Sequence, residues 1–231
     1  MNDKKGILLL SGGLDSATVA AMAVKKGYDL SALTFFYGQK HKVELQSAER
    51  LAEFFRIKHH VIIELNPAVF HSALTAGSGI DVPRGGDAGK PGIPATYVPA
   101  RNIIFLSYAL AFGESSGARD IFIGVNALDY SGYPDCRPEF IDAFTSMANI
   151  GTRAGITGEN FIIHAPLISM KKSEIIRAGM ELGVDYSMTH SCYDPDDKGG
   201  ACGSCDSCLI RLRGFAEAGL EDPLPYKHKK P

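Results

Sequence analysis

An apolar run, Gly6-Ile7-Leu8-Leu9-Leu10, breaks at Ser11-Gly12-Gly13-Leu14-Asp15-Ser16 and resumes as an alanine-rich segment, Ala17 to Lys26, with helical spacing. The run is too short for a membrane span and reads as a buried parallel strand. A strand therefore passes through a glycine turn into a helix. That arrangement gathers unpaired backbone N–H groups at the positive end of the helix dipole, where an anion is stabilised. Gly12 and Gly13 let the backbone approach a phosphate closely, and Ser11 and Ser16 add hydroxyl donors.

The turn lacks the spacing and lysine of a Walker loop and the glycine pattern of a dinucleotide fold. Ser-Gly-Gly-Leu-Asp-Ser, set between strand and helix, instead resembles the PP-loop of the N-type ATP pyrophosphatases. That resemblance implies a grip on the pyrophosphate of ATP and adenylation of a substrate.

Downstream, Leu30 to Phe36 and His60 to Leu65 read as strands around a helix from Val43 to Phe55. Asp120 to Val125 and Phe161 to Leu167 read as the fourth and fifth strands. Helices are expected at Ile103 to Phe112, Phe140 to Ile150, Lys171 to Leu182 and Leu209 to Glu217. Strands alternating with helices predict an α/β fold with a doubly wound, parallel, five-stranded sheet. Between Asn66 and Val98, repeated glycine and proline break any element, and a loop this long is expected to be a mobile flap over the ATP site, with a plain flexible insertion as the alternative. The expected organisation is an ATP-binding α/β domain over residues 1–185, with the loop 66–98, and a C-terminal segment 186–231 packed on it.

Three further stretches carry chemistry. Arg101 and Asn102 open a helix; Asn suits capping there, whereas a cation opposes the dipole, so Arg101 is expected to meet an anion. The loop after the fourth strand holds Tyr133, Asp135, Cys136, Arg137 and Glu139, on the rim where ligands of parallel sheets bind. Lys172 lies just past the fifth strand, within reach of an ATP phosphate. Cys136 reads as a small buried hydrophobe in preference to a nucleophile.

Cys192, Cys202, Cys205 and Cys208 give the ligand count and compact spacing of an all-thiolate metal site, with zinc the first expectation and an iron–sulfur cluster the alternative. Four bound thiolates close the coordination, so the site is structural. The chain has 231 residues and a formal charge of −2, which argues against a protein that lives on a nucleic acid backbone. No signal peptide or membrane-length apolar run is evident, and a cytoplasmic protein is expected.

Together Ser11 to Ser16, Tyr37-Gly38-Gln39, Val98 to Asn102, Ser131 to Phe140, Pro166-Leu167 with Lys172 to Ile175, and the four cysteines resemble the 7-cyano-7-deazaguanine synthase family of the queuosine pathway. The resemblance runs from about Ile7 to Arg213, and Ser-Gly-Tyr-Pro-Asp-Cys-Arg is its most specific part. It implies an adenine nucleotide alpha hydrolase-like PP-loop fold and a ligase converting 7-carboxy-7-deazaguanine and ammonia to the nitrile, with ATP and magnesium. It implies ATP contacts along Leu10, Ser11, Gly12, Gly13, Leu14, Asp15, Ser16, Ala17, Thr18, Val19 and Ala20. Asp15, Ser16, Arg101 and Lys172 are the implied catalytic residues, and Tyr133, Asp135, Arg137 and Glu139 would frame the deazapurine. Small-molecule substrates and a homodimer are implied, without direct nucleic acid or membrane contact. Two rivals stand beside this reading: a tRNA-thiolating PP-loop enzyme with Cys136 as sulfur carrier, and a zinc-dependent nucleic-acid-binding regulator.

Overall fold

In the computed structural model, strands β1 (Lys4–Leu9), β2 (Tyr28–Phe36), β3 (His59–Glu64), β4 (Asp120–Phe122) and β5 (Ile162–His164) form one parallel sheet ordered β3-β2-β1-β4-β5. The residues described are 4–85, 92–128, 132–196 and 198–227. Parts of the expected flap and of the loop before Tyr133, and the basic C-terminal residues, lie outside them.

The side chains of β1 alternate between the two faces of the sheet, as a strand must. Ile7 and Leu9 join a core with Leu106 and Ala109 of α3 (Arg101–Ser116) and Ile141 and Phe144 of α4 (Pro138–Gly151). Leu8 and Leu10 join the opposite core with α1 (Leu14–Lys25), α2 (Val43–Phe54), α6 (Lys172–Glu181) and α7 (Asp206–Ala218). A short α5 (Arg153–Ile156) follows α4. Ile7 and Leu8 are 1% and 0% exposed, and burying each stabilises the fold by about 1.5–3 kcal/mol. The sheet is buried on both faces, which is why β1 reads as an unbroken apolar run.

The order reverses direction between β1 and β4, so the turns leaving these strands diverge and open a crevice at the carboxyl rim. β4 and β5 are shorter than the sequence predicts because the chain leaves the ladder early. Past β4, the buried Asn126 takes over: its Nδ2 donates to the Leu167 and Met170 carbonyls, both at 2.7 Å, and its Oδ1 accepts the Leu128 N–H at 2.9 Å. One side chain thus ties the loops after β4 and β5 together.

Much of the segment between Asn66 and Val98 is packed. Pro67–Val69 form a 3₁₀ turn, and Phe70, Leu74, Val82 and Val98 are buried in the α3–α4 core. No helix among the described residues is long and apolar enough to cross a membrane.

Replacing Asn126 by Ala strands the buried Leu167 carbonyl and the part-buried Met170 carbonyl, and urea denaturation should show a loss of about 1–3 kcal/mol with an unchanged m-value.

Candidate active site

At the crevice, a cavity of about 210 Å³ is bounded by the turn after β1, the start of α3, the Tyr133 turn and the segment entering the cysteine cluster. The turn is shaped by its own serines. Ser16 Oγ donates to the Gly13 carbonyl at 3.0 Å and meets Ser11 Oγ at 3.2 Å, while the Gly13 N–H is 3.3 Å from Ser11 Oγ. Ser16 is therefore a brace of the loop as well as a lining residue. Gly13 stands at the N-cap of α1 without a capping side chain, so the amides of the first turn face the cavity without a local oxygen to satisfy them.

Gly12 has φ of +85°, and a Cβ there would stand 2.3 Å from the Glu44 carbonyl and 2.9 Å from the Ala48 nitrogen. Only glycine permits this turn and this approach of α2. Of the expected ATP-contacting stretch, Leu10, Ser11, Gly13, Leu14, Asp15 and Ser16 line the cavity. Ala17, Thr18, Val19 and Ala20 are 0% exposed and pack in the core beneath, where Thr18 Oγ1 bonds the Leu14 carbonyl and the Tyr186 hydroxyl.

Lys172 is buried at the start of α6, and its Nζ donates to Asp15 Oδ1 at 2.6 Å. Its stem fits because residue 214 of α7 is glycine: a Cβ there would lie 2.4 Å from Lys172 Cγ. The structure thus joins two residues 157 apart in sequence into a charged pair on the floor of the phosphate turn.

At α3, the N-cap is Ala100, in the left-handed region with φ of +56°, and Asn102 does not cap the helix. The carboxylate of Asp135, from the facing 3₁₀ turn Pro134–Cys136, accepts the Asn102 N–H at 3.0 Å, doing the work of a cap from another part of the chain. The Asn102 amide donates in turn to the Asp135 carbonyl at 3.1 Å and to Cys136 Sγ at 3.4 Å. Asp135 is 3% exposed and lies outside the cavity lining, with one carboxylate oxygen committed to α3. This clamp aims Arg101 into the cavity, where its Nη1 donates to the Tyr37 hydroxyl at 3.2 Å. Tyr133 also lines the cavity, its hydroxyl 2.7 Å from Thr96 Oγ1. Arg137 and Glu139 are exposed at the start of α4 and lie outside the lining.

Cys136 lines the cavity, and burial pushes its thiol up to about 12. A thiol so held is protonated at neutral pH and a poor nucleophile. Sequence reasoning missed Glu44 and His190, which also line the cavity. Burial raises the Glu44 carboxyl to about 7 against the opposing Arg101 charge and a hydrogen bond from Gln39. The spacing of α2 had pointed only to its apolar face, and Glu44 lies off that face in the first turn.

The four expected ligand cysteines are buried, and their Sγ atoms lie within 4.8 Å of one another, with Cys202 and Cys208 at 4.0 Å. Sulfurs about 2.3 Å from one tetrahedral ion would be about 3.8 Å apart, so the donor set fits a single metal ion. Backbone N–H groups of Cys202, Asp194, Cys205 and Ser204 point at Cys192 and Cys202 sulfurs over 3.2–3.4 Å, orienting them. The cluster is coupled to the site: the His190 N–H donates to the Gly12 carbonyl at 2.9 Å, and His190, Ser191, Tyr193 and Ser207 line the cavity. Arg84, from the long segment, pairs with Asp194 and donates to Ser204 Oγ at 2.9 Å. In α7, Arg211 is 3% exposed and held bidentately by Asp222, Nε to Oδ2 at 2.8 Å and Nη2 to Oδ1 at 3.0 Å, so it presents no charge to solvent.

Comparison with known proteins places this geometry. Residues 5–219 match the family model described as queuosine biosynthesis protein QueC. A 7-cyano-7-deazaguanine synthase of Stutzerimonas stutzeri is 59% identical over 227 residues, covering 98% of this chain and 100% of the relative. One of Kineococcus radiotolerans is 58% identical over 226 residues, covering 97% and 99%. Among solved structures, an NMN synthetase from Francisella tularensis aligns over 95% of this chain and 79% of that one, at 19% identity and a TM-score of 0.50, a likeness of fold alone.

A carboxyl whose folded pKa is raised binds more protons in the folded than in the unfolded state, so its stability contribution is lost as pH climbs from its unfolded value through about 7. Glu44→Gln should therefore melt above the wild type at pH 8 and close to it near pH 4, as followed by calorimetry.

Proposed function

The chain belongs to the queuosine biosynthesis protein QueC family, and from this we infer that it acts as its 7-cyano-7-deazaguanine synthase relatives do, as an ATP-dependent ligase forming C–N bonds. Its substrates are 7-carboxy-7-deazaguanine, ammonia and ATP. One observation carries the mechanism: the phosphate turn, Arg101 and the Tyr133 turn line a single cavity, so an ATP α-phosphate and a substrate carboxylate can meet there.

A carboxylate resists amines until one oxygen becomes a leaving group. The substrate carboxylate attacks the α-phosphorus and pyrophosphate departs; ammonia then displaces AMP to give the amide. A second ATP adenylates the amide oxygen, and loss of AMP with the nitrogen's protons leaves the nitrile. Positioning and charge stabilisation supply the catalysis. The first-turn amides of α1 and Ser11 hold the phosphates, and Arg101 meets charge on the acyl phosphate. Lys172 sets the position of Asp15, which is suited to hold a magnesium ion on the phosphates. Tyr133 borders the deazapurine, and Asp135 acts on it through the α3 N-terminus.

Zinc is the ion that the four thiolates would hold, and it would supply structure rather than chemistry. Residues 1–185 form the ATP-binding domain in this reading, 66–98 its covering loop, and 186–231 the zinc segment that finishes one wall of the cavity. A cytoplasmic homodimer completes it, supported by exposed Met147, Ile150 and Ile156 on α4 and α5. The buried Arg211 and the protonated Cys136 thiol weigh against the nucleic-acid-binding and sulfur-carrying alternatives.

Incubation with 7-carboxy-7-deazaguanine, ammonium, ATP and magnesium should yield the nitrile, AMP and pyrophosphate by mass spectrometry; AMP without nitrile would move the substrate elsewhere. Chelation of the metal at neutral pH should release close to one zinc per chain, lower the melting temperature and weaken ATP binding, because His190 docks on Gly12.

A further inference from the structure

Beside the main cavity lies a second chamber of about 20 Å³, and Tyr37, Gln39, Glu44, Leu74, His190 and Tyr193 line both spaces. A chamber this small admits one molecule of the size of water. Two features of its wall ask for a polar guest with N–H groups. Glu44, a carboxylic acid, lines both spaces. His190, only 4% exposed, has an Nε2 buried without a hydrogen-bond partner among the described residues. A buried nitrogen left so is costly unless something occupies the space beside it.

We propose that this chamber is an ammonium-binding site, with Glu44 the base that converts ammonium to ammonia and His190 Nε2 the group that orients it toward the main cavity. The inference rests on the functional reading above and names where its nitrogen substrate enters. The ammonium passes one proton to the Glu44 carboxylate, freeing the lone pair. Nitrogen attacks the carbonyl carbon of the acyl-adenylate, the C–N bond forms, and the C–O bond to AMP breaks with its electron pair leaving on the phosphate. The surplus proton on the new amide nitrogen goes to the departing AMP phosphate, and Glu44 returns its proton to solvent.

The electrostatic surroundings suit a base. Burial holds Glu44 near neutrality, while Arg101 from α3 and the Gln39 amide keep it from rising further. The other titratable groups facing the small chamber are Tyr37 just after β2, Lys40 and His41 before α2, and His190, Cys192 and Tyr193 at the entry to the cysteine cluster. A base with a pKa near the working pH is the most effective one for this transfer.

The test uses the full-length zinc-loaded enzyme and its Glu44→Gln and His190→Gln variants, with three readouts. Substrate-dependent exchange of labelled pyrophosphate into ATP reports adenylation. Amide and nitrile formation at varied total ammonium reports nitrogen transfer, and hydroxylamine, uncharged at neutral pH, serves as a nucleophile that needs no deprotonation. For Glu44→Gln, kcat/KM for ammonium should fall roughly 10²-fold at pH 7. Its exchange rate and hydroxamate yield should stay within about twofold of wild type, which also shows that the variant is folded. The wild-type pH profile in total ammonium should level off above about 7, whereas that of Glu44→Gln should keep climbing with the ammonia fraction. His190→Gln should raise KM for ammonium more than it lowers kcat. An unchanged ammonium profile in Glu44→Gln would overturn the proposal and leave the chamber to water. Loss of exchange together with hydroxamate would also overturn it, placing Glu44 in ATP or substrate binding. If the wild type itself gave neither exchange nor nitrile, the functional reading would fail instead.

Discussion

Gly12 is where three separate parts of the chain touch. Its missing side chain lets the backbone of α2 come within what would be 2.3 Å of a Cβ, and its carbonyl accepts the N–H of His190 at 2.9 Å. The first contact brings Glu44 to the cavity, and the second brings the cysteine segment. A side chain at this position would push α2 away and twist the turn out of its positive-φ conformation. The phosphate turn is thus the hinge point of the tertiary structure as well as the seat of the anion site.

The sheet explains why these parts meet at that point. In a parallel order that reverses beside β1, the turns after β1 and β4 splay apart, and the space between them must be filled by other segments. Here it is walled by α3, by the turn at Tyr133 and by the segment from His190 to Tyr193. Each wall is held by polar groups that have given up solvent: Asp135 on the α3 N-terminus, Asn126 between two loops, Asp15 with Lys172. Removing one partner from such a set costs more than the bond itself contributes, because the other partner stays buried. Polar groups so engaged hold their geometry without a ligand's help, which suits catalysis by positioning.

The cysteine cluster belongs to this logic. Its sulfurs are far from the phosphate turn in sequence, yet the backbone just before Cys192 docks on Gly12, and Ser207, next to Cys208, reaches the cavity. Closing four thiolates around one ion would fix a segment that has little apolar surface of its own. An ion held there would shape one wall of the cavity without touching what binds in it.

Much of this was legible in residue order. The apolar run and glycine turn at residues 6–16 predicted a buried strand passing through a turn into a helix, the alternation of elements predicted the parallel sheet, and the cysteine spacing predicted that four thiols gather, because each of these is a local pattern. Other features were settled only by tertiary structure. Asn102 looked like a cap, but Asp135, itself buried, satisfies that helix end from the facing turn. Glu44 and His190 carried no motif at all, and the pairing of Asp15 with Lys172 spans 157 positions. Sequence determines what each segment can do alone, through periodicity, turn chemistry and ligand type. Which buried polar group meets which, and therefore what remains free for a substrate, depends on distances that exist only once the sheet has brought distant segments to one rim.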